Sequence, residues 1–163
     1  MEKVIDIITH SAKETIELGK NLASALHGGE VVALIGELGS GKTHLIKGIA
    51  MGLNAPDPTK VCSPTFVLVN EYSARDGNLT LYHIDAYRLN SLREFELLGF
   101  EDFCRPDAIV LVEWADKVLP ALSGLNLLRI ELSHAGQDQR RIRIVNPTES
   151  IHACVQKCGF GPR

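Results

Sequence analysis

The 163-residue, 17.8 kDa chain carries 17 Lys+Arg against 20 Asp+Glu, a formal charge of -3, with 45% hydrophobic residues and a mean hydropathy of +0.04. That is about one domain's worth of polypeptide, too apolar for a disordered tail and too polar for a polytopic membrane protein. The mild acidity argues against tight unaided binding to DNA or RNA, so a nucleic-acid role calls for a basic partner.

From the start, Met1 to His10 mixes Glu2, Lys3 and Asp6 with isolated apolar residues and has no signal-like apolar run. Ser11-Ala-Lys-Glu14 is a capping box that opens a helix toward Leu26, and His27-Gly28-Gly29 ends it. Glu30–Ile35 is a short, continuously apolar, β-branched run, the pattern of a strand buried on both faces of a parallel sheet. A Gly-rich turn leads to a second helix, about Lys42 to Leu53, and Pro56-Asp57-Pro58 marks a loop. Phe66–Tyr72 and Leu79–Asp85 read as strands joined by a hairpin turn that contains Asp76-Gly77. Ser91-Leu-Arg-Glu94 caps a helix toward Phe103, and Ala108–Trp114 is another apolar strand. Leu127–His134 and Arg140–Val145 form a second hairpin, and 147–163 is a tail whose role is open. The expected architecture is α/β, a single domain over 1–163 with a mixed, mostly parallel central sheet, flanking helices and antiparallel hairpins.

The apolar runs fall far short of the roughly 20 residues of a membrane span. Cys62, Cys104, Cys154 and Cys158 make no Cys-x-x-Cys pair, and His152 with the last two lacks a fourth ligand at familiar spacing. Reduced thiols, a cytoplasmic location and no membrane or DNA partner are the expectations.

Gly36, Glu37, Leu38, Gly39, Ser40, Gly41, Lys42 and Thr43 fit Gly-x-x-x-x-Gly-Lys-[Ser/Thr]. Glycines let successive amides converge on phosphate oxygens, and the following helix offers its positive end to the same anion. Lys42 can reach the β- and γ-phosphates, and the Thr43 hydroxyl can ligate Mg²⁺. With 14 Gly in the chain, about 0.006 such matches are expected by accident, and the flanking strand and helix are the right context.

The motif does not fix the function. Asp-x-x-Gly and Asn-Lys-x-Asp are absent, which argues against a Ras-type GTPase, and Leu122-Ser-Gly is only a fragment of the ABC signature. A small-metabolite kinase would want a lid with several arginines, for which Arg88, Arg93 and Arg105 are candidates. Glu113, ending the strand Ala108–Val112, stands where a second Mg²⁺ carboxylate belongs, with a solvated strand end as the plainer alternative. Trp114 is either nucleotide- or partner-facing, or core. In Ser63-Pro-Thr65-Phe66 a Thr65 hydroxyl could sense the γ-phosphate, or simply begin a strand. His83, Asp85 and Tyr87 share one face if their strand persists; Asp85 could orient a water or hold a metal-bound one, or be solvated. Arg140, Arg141 and Arg143 form a basic cluster, read as a solvated face or a docking patch for a partner or tRNA.

Taken together, Gly36-Glu-Leu-Gly-Ser-Gly-Lys-Thr43, Ser63-Pro-Thr-Phe66, His83-Ile-Asp-Ala-Tyr-Arg-Leu89 and Val112-Glu-Trp-Ala115 resemble the TsaE (YjeE) family. The resemblance runs over about Thr9 to Arg143. It implies a P-loop ATPase, weak alone, that serves the TsaD–TsaB complex in forming N6-threonylcarbamoyladenosine at position 37 of tRNAs reading ANN codons. It implies ATP and Mg²⁺ as cofactors, phosphate binding by Lys42, Mg²⁺ on Thr43 and Glu113, and hydrolysis supported by Asp85. Thr65 would lie in a nucleotide-responsive loop, and Ser11 would approach the base. His44 departs from the family pattern, where a second Thr is common, and little effect on phosphate binding is expected from it.

Overall fold

The computed structural model describes residues 1–55 and 68–160. Among them, seven strands form one sheet in the order β1-β7-β6-β2-β5-β4-β3. They are β1 (Val4–Thr9), β2 (Val31–Gly36), β3 (Val69–Ala74), β4 (Leu79–Asp85), β5 (Ala108–Glu113), β6 (Leu127–His134) and β7 (Arg140–Val145). β6, β2, β5 and β4 run parallel to one another, while β3, β7 and β1 add antiparallel edges. This is the expected mixed sheet, parallel in its centre, with the two hairpins β3–β4 and β6–β7.

The helices are α1 (Ala12–Ala23), α2 (Lys42–Gly52), α3 (Leu92–Leu97), α4 (Phe100–Phe103), α5 (Leu119–Leu122) and α6 (Glu149–Lys157). Leu18 and Leu22 of α1, Leu45 and Ile49 of α2 and Ile151 and Val155 of α6 share one core with Val32, Leu34, Leu111 and Ile142 of the sheet. Phe95, Phe100 and Leu122 from α3, α4 and α5 pack on the other face, against Val31, Ala33, Ile84 and Val112. Alternate residues of β2 thus feed opposite cores, which is why its sequence is apolar throughout rather than alternating.

α1 and α2 come together through glycines. A Cβ on Gly19 would overlap the Leu45 carbonyl oxygen, and one on Gly48 would overlap that of Ile16. Only bare backbone permits this approach, and it fixes the start of α1 relative to the phosphate loop.

Both capping boxes form. Ser11 Oγ accepts from Glu14 N at 3.1 Å, and Glu14 Oε2 accepts in return from His10 N at 2.6 Å. At α3, Ser91 Oγ accepts from Glu94 N, whose carboxylate accepts from Asn90 N. In both cases the reciprocal bond reaches one residue before the cap, a small variation on the expected pattern.

Two elements were not anticipated. β1 arises from the N-terminal stretch, where Ile5 and Ile7 turn into the core while Val4, Asp6 and Ile8 face out. Within the tail, Thr148 Oγ1 accepts from Ile151 N at 3.2 Å and starts α6. The hairpin at Asp76-Gly77 is present, built as a 3-10 turn over Arg75–Gly77 with Arg75 and Asp76 at φ 46° and 57°. The predicted helix toward Phe103 is two helices, broken at Gly99 with φ 74°. Among the described residues no helix is long and apolar enough to cross a membrane.

Candidate functional site

The site is built where the parallel strands end. Gly36 closes β2, and a Cβ there would collide with Ser40 Oγ and the Leu132 carbonyl. Gly41, at φ 103°, forms the N-cap of α2. A side chain would be strained at that φ, so Gly41 is what lets the loop turn into the helix with its amides inward. Ser40 Oγ is buried inside the loop without a hydrogen-bond partner among the described residues.

Lys42, only 6% exposed, lies across the loop. Its Nζ donates to the carbonyls of Gly36 and Glu37 at 2.5 and 2.9 Å, and sits 4.2 Å from the centre of the Trp114 ring. Burial lowers the lysine pKa, while Glu113 and Asp85 act the other way. The ammonium is therefore held by loop carbonyls and an indole face, in the field of two carboxylates.

The carboxylates arrive from adjacent strands. Asp85 and Glu113 are register partners at the ends of β4 and β5, and Glu113 also stands beside Leu34 of β2. Glu113 is 2% exposed, so it is not a solvated strand end. Its Oε2 lies 2.8 Å from His83 Nε2. Asp85 Oδ1 accepts from Tyr87 N at 2.9 Å, and burial pushes its carboxyl above the usual range, more than that hydrogen bond lowers it. β4 ends at Asp85, so His83 and Asp85 share a face as expected, whereas Tyr87 lies beyond the strand.

A cavity of about 290 Å³ is lined by Gly41, Lys42, Thr43, Asp85, Glu113 and Trp114, with Leu38, Gly39, His44, Tyr87 and Arg140 around it. Trp114, in the left-handed region at φ 56°, meets Tyr87 with ring centres 4.9 Å apart and planes tilted by 45°. It lines the cavity and also packs, partly buried, against the core on that face of the sheet. A second cavity, about 400 Å³, lies against His10, Ser11, Thr15 and Asp138, and His44 and Arg140 line both. Ser11 is thus near the loop through the start of α1, not part of it.

Thr65 and the Ser63-Pro-Thr-Phe66 motif lie outside the described residues. Of the basic cluster, Arg141 pairs with Asp6 and Arg143 with Glu131, while Arg140 turns to the cavities. Its role at the site was not legible in the sequence, because only the β6–β7 hairpin brings residue 140 beside Gly41. Arg88, Arg93 and Arg105 line neither cavity. Among the described residues no three His, Cys, Asp or Glu side chains cluster to hold a metal. Thr43 and Glu113 nonetheless supply hard oxygen donors, which suit a cation that keeps most of its water and takes the rest of its ligands from a phosphate.

Residues 9–142 match the family described as Threonylcarbamoyl adenosine biosynthesis protein TsaE. The chain belongs to the TsaE family. It is 35% identical over 144 residues to the tRNA threonylcarbamoyladenosine biosynthesis protein TsaE of Aquifex aeolicus, covering 88% of this chain and 98% of that one. It is 38% identical over 135 residues to the Bacillus subtilis protein of the same name, covering 82% and 80%. The crystal structure of Bacillus subtilis YdiB superposes with a TM-score of 0.70 at 30% identity, over 97% of this chain and 95% of that one. The TsaE family is a P-loop, nucleotide-binding fold.

Proposed function

We propose that this protein is a Mg²⁺-dependent ATPase that acts in tRNA threonylcarbamoyladenosine biosynthesis, as an accessory to the TsaD–TsaB complex. Its carrying observation is the convergence of Lys42 and Thr43 from α2 with Asp85 and Glu113 from β4 and β5 on one cavity. Lys42 binds the β- and γ-phosphates, the loop amides of Gly36 to Gly41 cradle them, and the Ser40 hydroxyl provides a further polar group facing inward. Thr43 and Glu113 hold Mg²⁺, which when bound neutralises charge developing on the phosphates. Asp85, with its pKa raised by burial, orients the attacking water. The second cavity, reached past His44 and Arg140, takes the nucleoside end, with Ser11 on its wall.

Relatives named for this pathway support the assignment, and a chain of charge -3 suits a factor that meets tRNA only through its partners in the cytoplasm. ATP turnover by the pure protein, alone and with TsaD, TsaB and tRNA, is the test. Slow turnover that the partners stimulate is expected; turnover indifferent to them removes the partner assignment. ADP release that instead tracks an added small-molecule acceptor would point to a kinase.

A further inference from the structure

His83 is buried, 1% exposed, on β4 two residues before Asp85, and it does not line the cavity. Its ring stands behind the carboxylates, with Nε2 at 2.8 Å from Glu113 Oε2. The other ring nitrogen, Nδ1, is buried with no hydrogen-bond partner among the described residues. A buried N–H without an acceptor is penalised more heavily than a buried lone pair without a donor. The proton therefore belongs on Nε2, and the bond runs from Nε2–H to the Glu113 carboxylate.

Strand geometry makes this bond directional. Glu113 is the register partner of Asp85, and His83 is the partner of Leu111, so His83 reaches diagonally along the sheet to the next carboxylate on the same face. The buried imidazole pins one oxygen of a side chain that otherwise has three rotatable torsions. A carboxylate that ligates a metal gains affinity when its orientation is fixed beforehand by a hydrogen bond from behind.

We propose that His83 is the positioning residue for Glu113, setting the carboxylate for the divalent cation that accompanies the nucleotide. This rests on the ATPase reading above. A merely structural His83–Glu113 pair would affect folding stability and leave cation dependence alone.

The experiment uses the full chain and a non-hydrolysable ATP analogue, with Mn²⁺ titrated by electron paramagnetic resonance and a thermal melt without nucleotide for each variant. His83→Leu is expected to raise half-saturating Mn²⁺ about 10–100-fold. His83→Gln, whose amide N–H can reach the position of Nε2, is expected to restore it to within a few-fold. His83→Asn is polar but too short, and should behave like the leucine variant; the Gln–Asn pair decides the matter if leucine prevents folding. A folded Asn or Leu variant with wild-type Mn²⁺ dependence overturns the proposal. Glu113→Gln separates metal binding from its positioning. If it weakens Mn²⁺ binding while the His83 variants do not, only the positioning role falls. If it too has no effect, or wild-type protein binds no Mn²⁺-nucleotide, the metal assignment falls and takes this role with it.

Discussion

On the β2–β5–β4 half of the sheet, helices cover both faces, and polar side chains near the strand ends are buried or half-buried. Lys42, His83 and Glu113 are each 6% exposed or less, and they engage one another's surroundings rather than water. On the β6–β7–β1 half the described helices cover one face, and charge is handled in the open. Arg141 and Asp6 pair at 2.5 Å with side chains 52% and 41% exposed, and Arg143 meets Glu131 at 2.8 Å. The physics of the two halves differs. Exposed pairs contribute little because water and salt screen them. Buried charge is penalised by lost hydration, so a fold that keeps it needs a use for it. The depressed Lys42 and elevated Asp85 pKa values record that penalty at the phosphate-loop end of the sheet.

Substitutions can break this contrast, beginning with the largest effect. Lys42→Ala and Asp85→Asn should each lower partner-stimulated ATP turnover by about 10²–10³-fold while leaving the fold intact by circular dichroism. Turnover near wild type in either would mean that the buried charges serve no chemistry. Gly48→Ala should destabilise by about 2–3 kcal/mol, because its methyl must push the Ile16 backbone away, and the thermal midpoint should fall by about 5–10 °C.

Asp85→Asn has a second, opposite signature. Since burial raises the folded-state pKa, the ionised carboxylate destabilises the protein at neutral pH. Removing it should raise the midpoint by about 2 °C there. That gain should fade as pH falls through the raised pKa, and vanish below the ordinary Asp pKa, where both states are protonated. A gain independent of pH would argue for a different cause. Arg141→Ala is the control from the other half: a midpoint change of about 1 °C or less, diminished by salt, and unchanged turnover.

Much of the phosphate-loop half could be read in advance because its signals are local. The spacing from Gly36 to Thr43, the apolar runs of β2 and β5, and the capping boxes at Ser11 and Ser91 depend on neighbours a few residues away. β1 was missed for the opposite reason. Val4–Thr9 is an edge strand whose strand partner among the described residues is β7, more than 130 residues later, and its six residues carry no turn signal of their own. α6 was missed likewise, since its two buried residues, Ile151 and Val155, make a helix face only once α1 is there to receive them.

By itself, then, the chain determined a Gly-x-x-x-x-Gly-Lys-Thr loop between a buried strand and a helix, an acid at the end of each of two later strands, and an α/β sheet to carry them. Backbone chemistry and short-range periodicity are enough for that. Tertiary structure alone decided that Asp85 and Glu113 are register partners, that His83 stands behind Glu113, that Trp114 covers Lys42, and that Arg140 leaves its basic neighbours to join the cavity. Those juxtapositions depend on strand order, and strand order comes from burying two cores on opposite faces of one sheet, a property of the whole chain rather than of any segment.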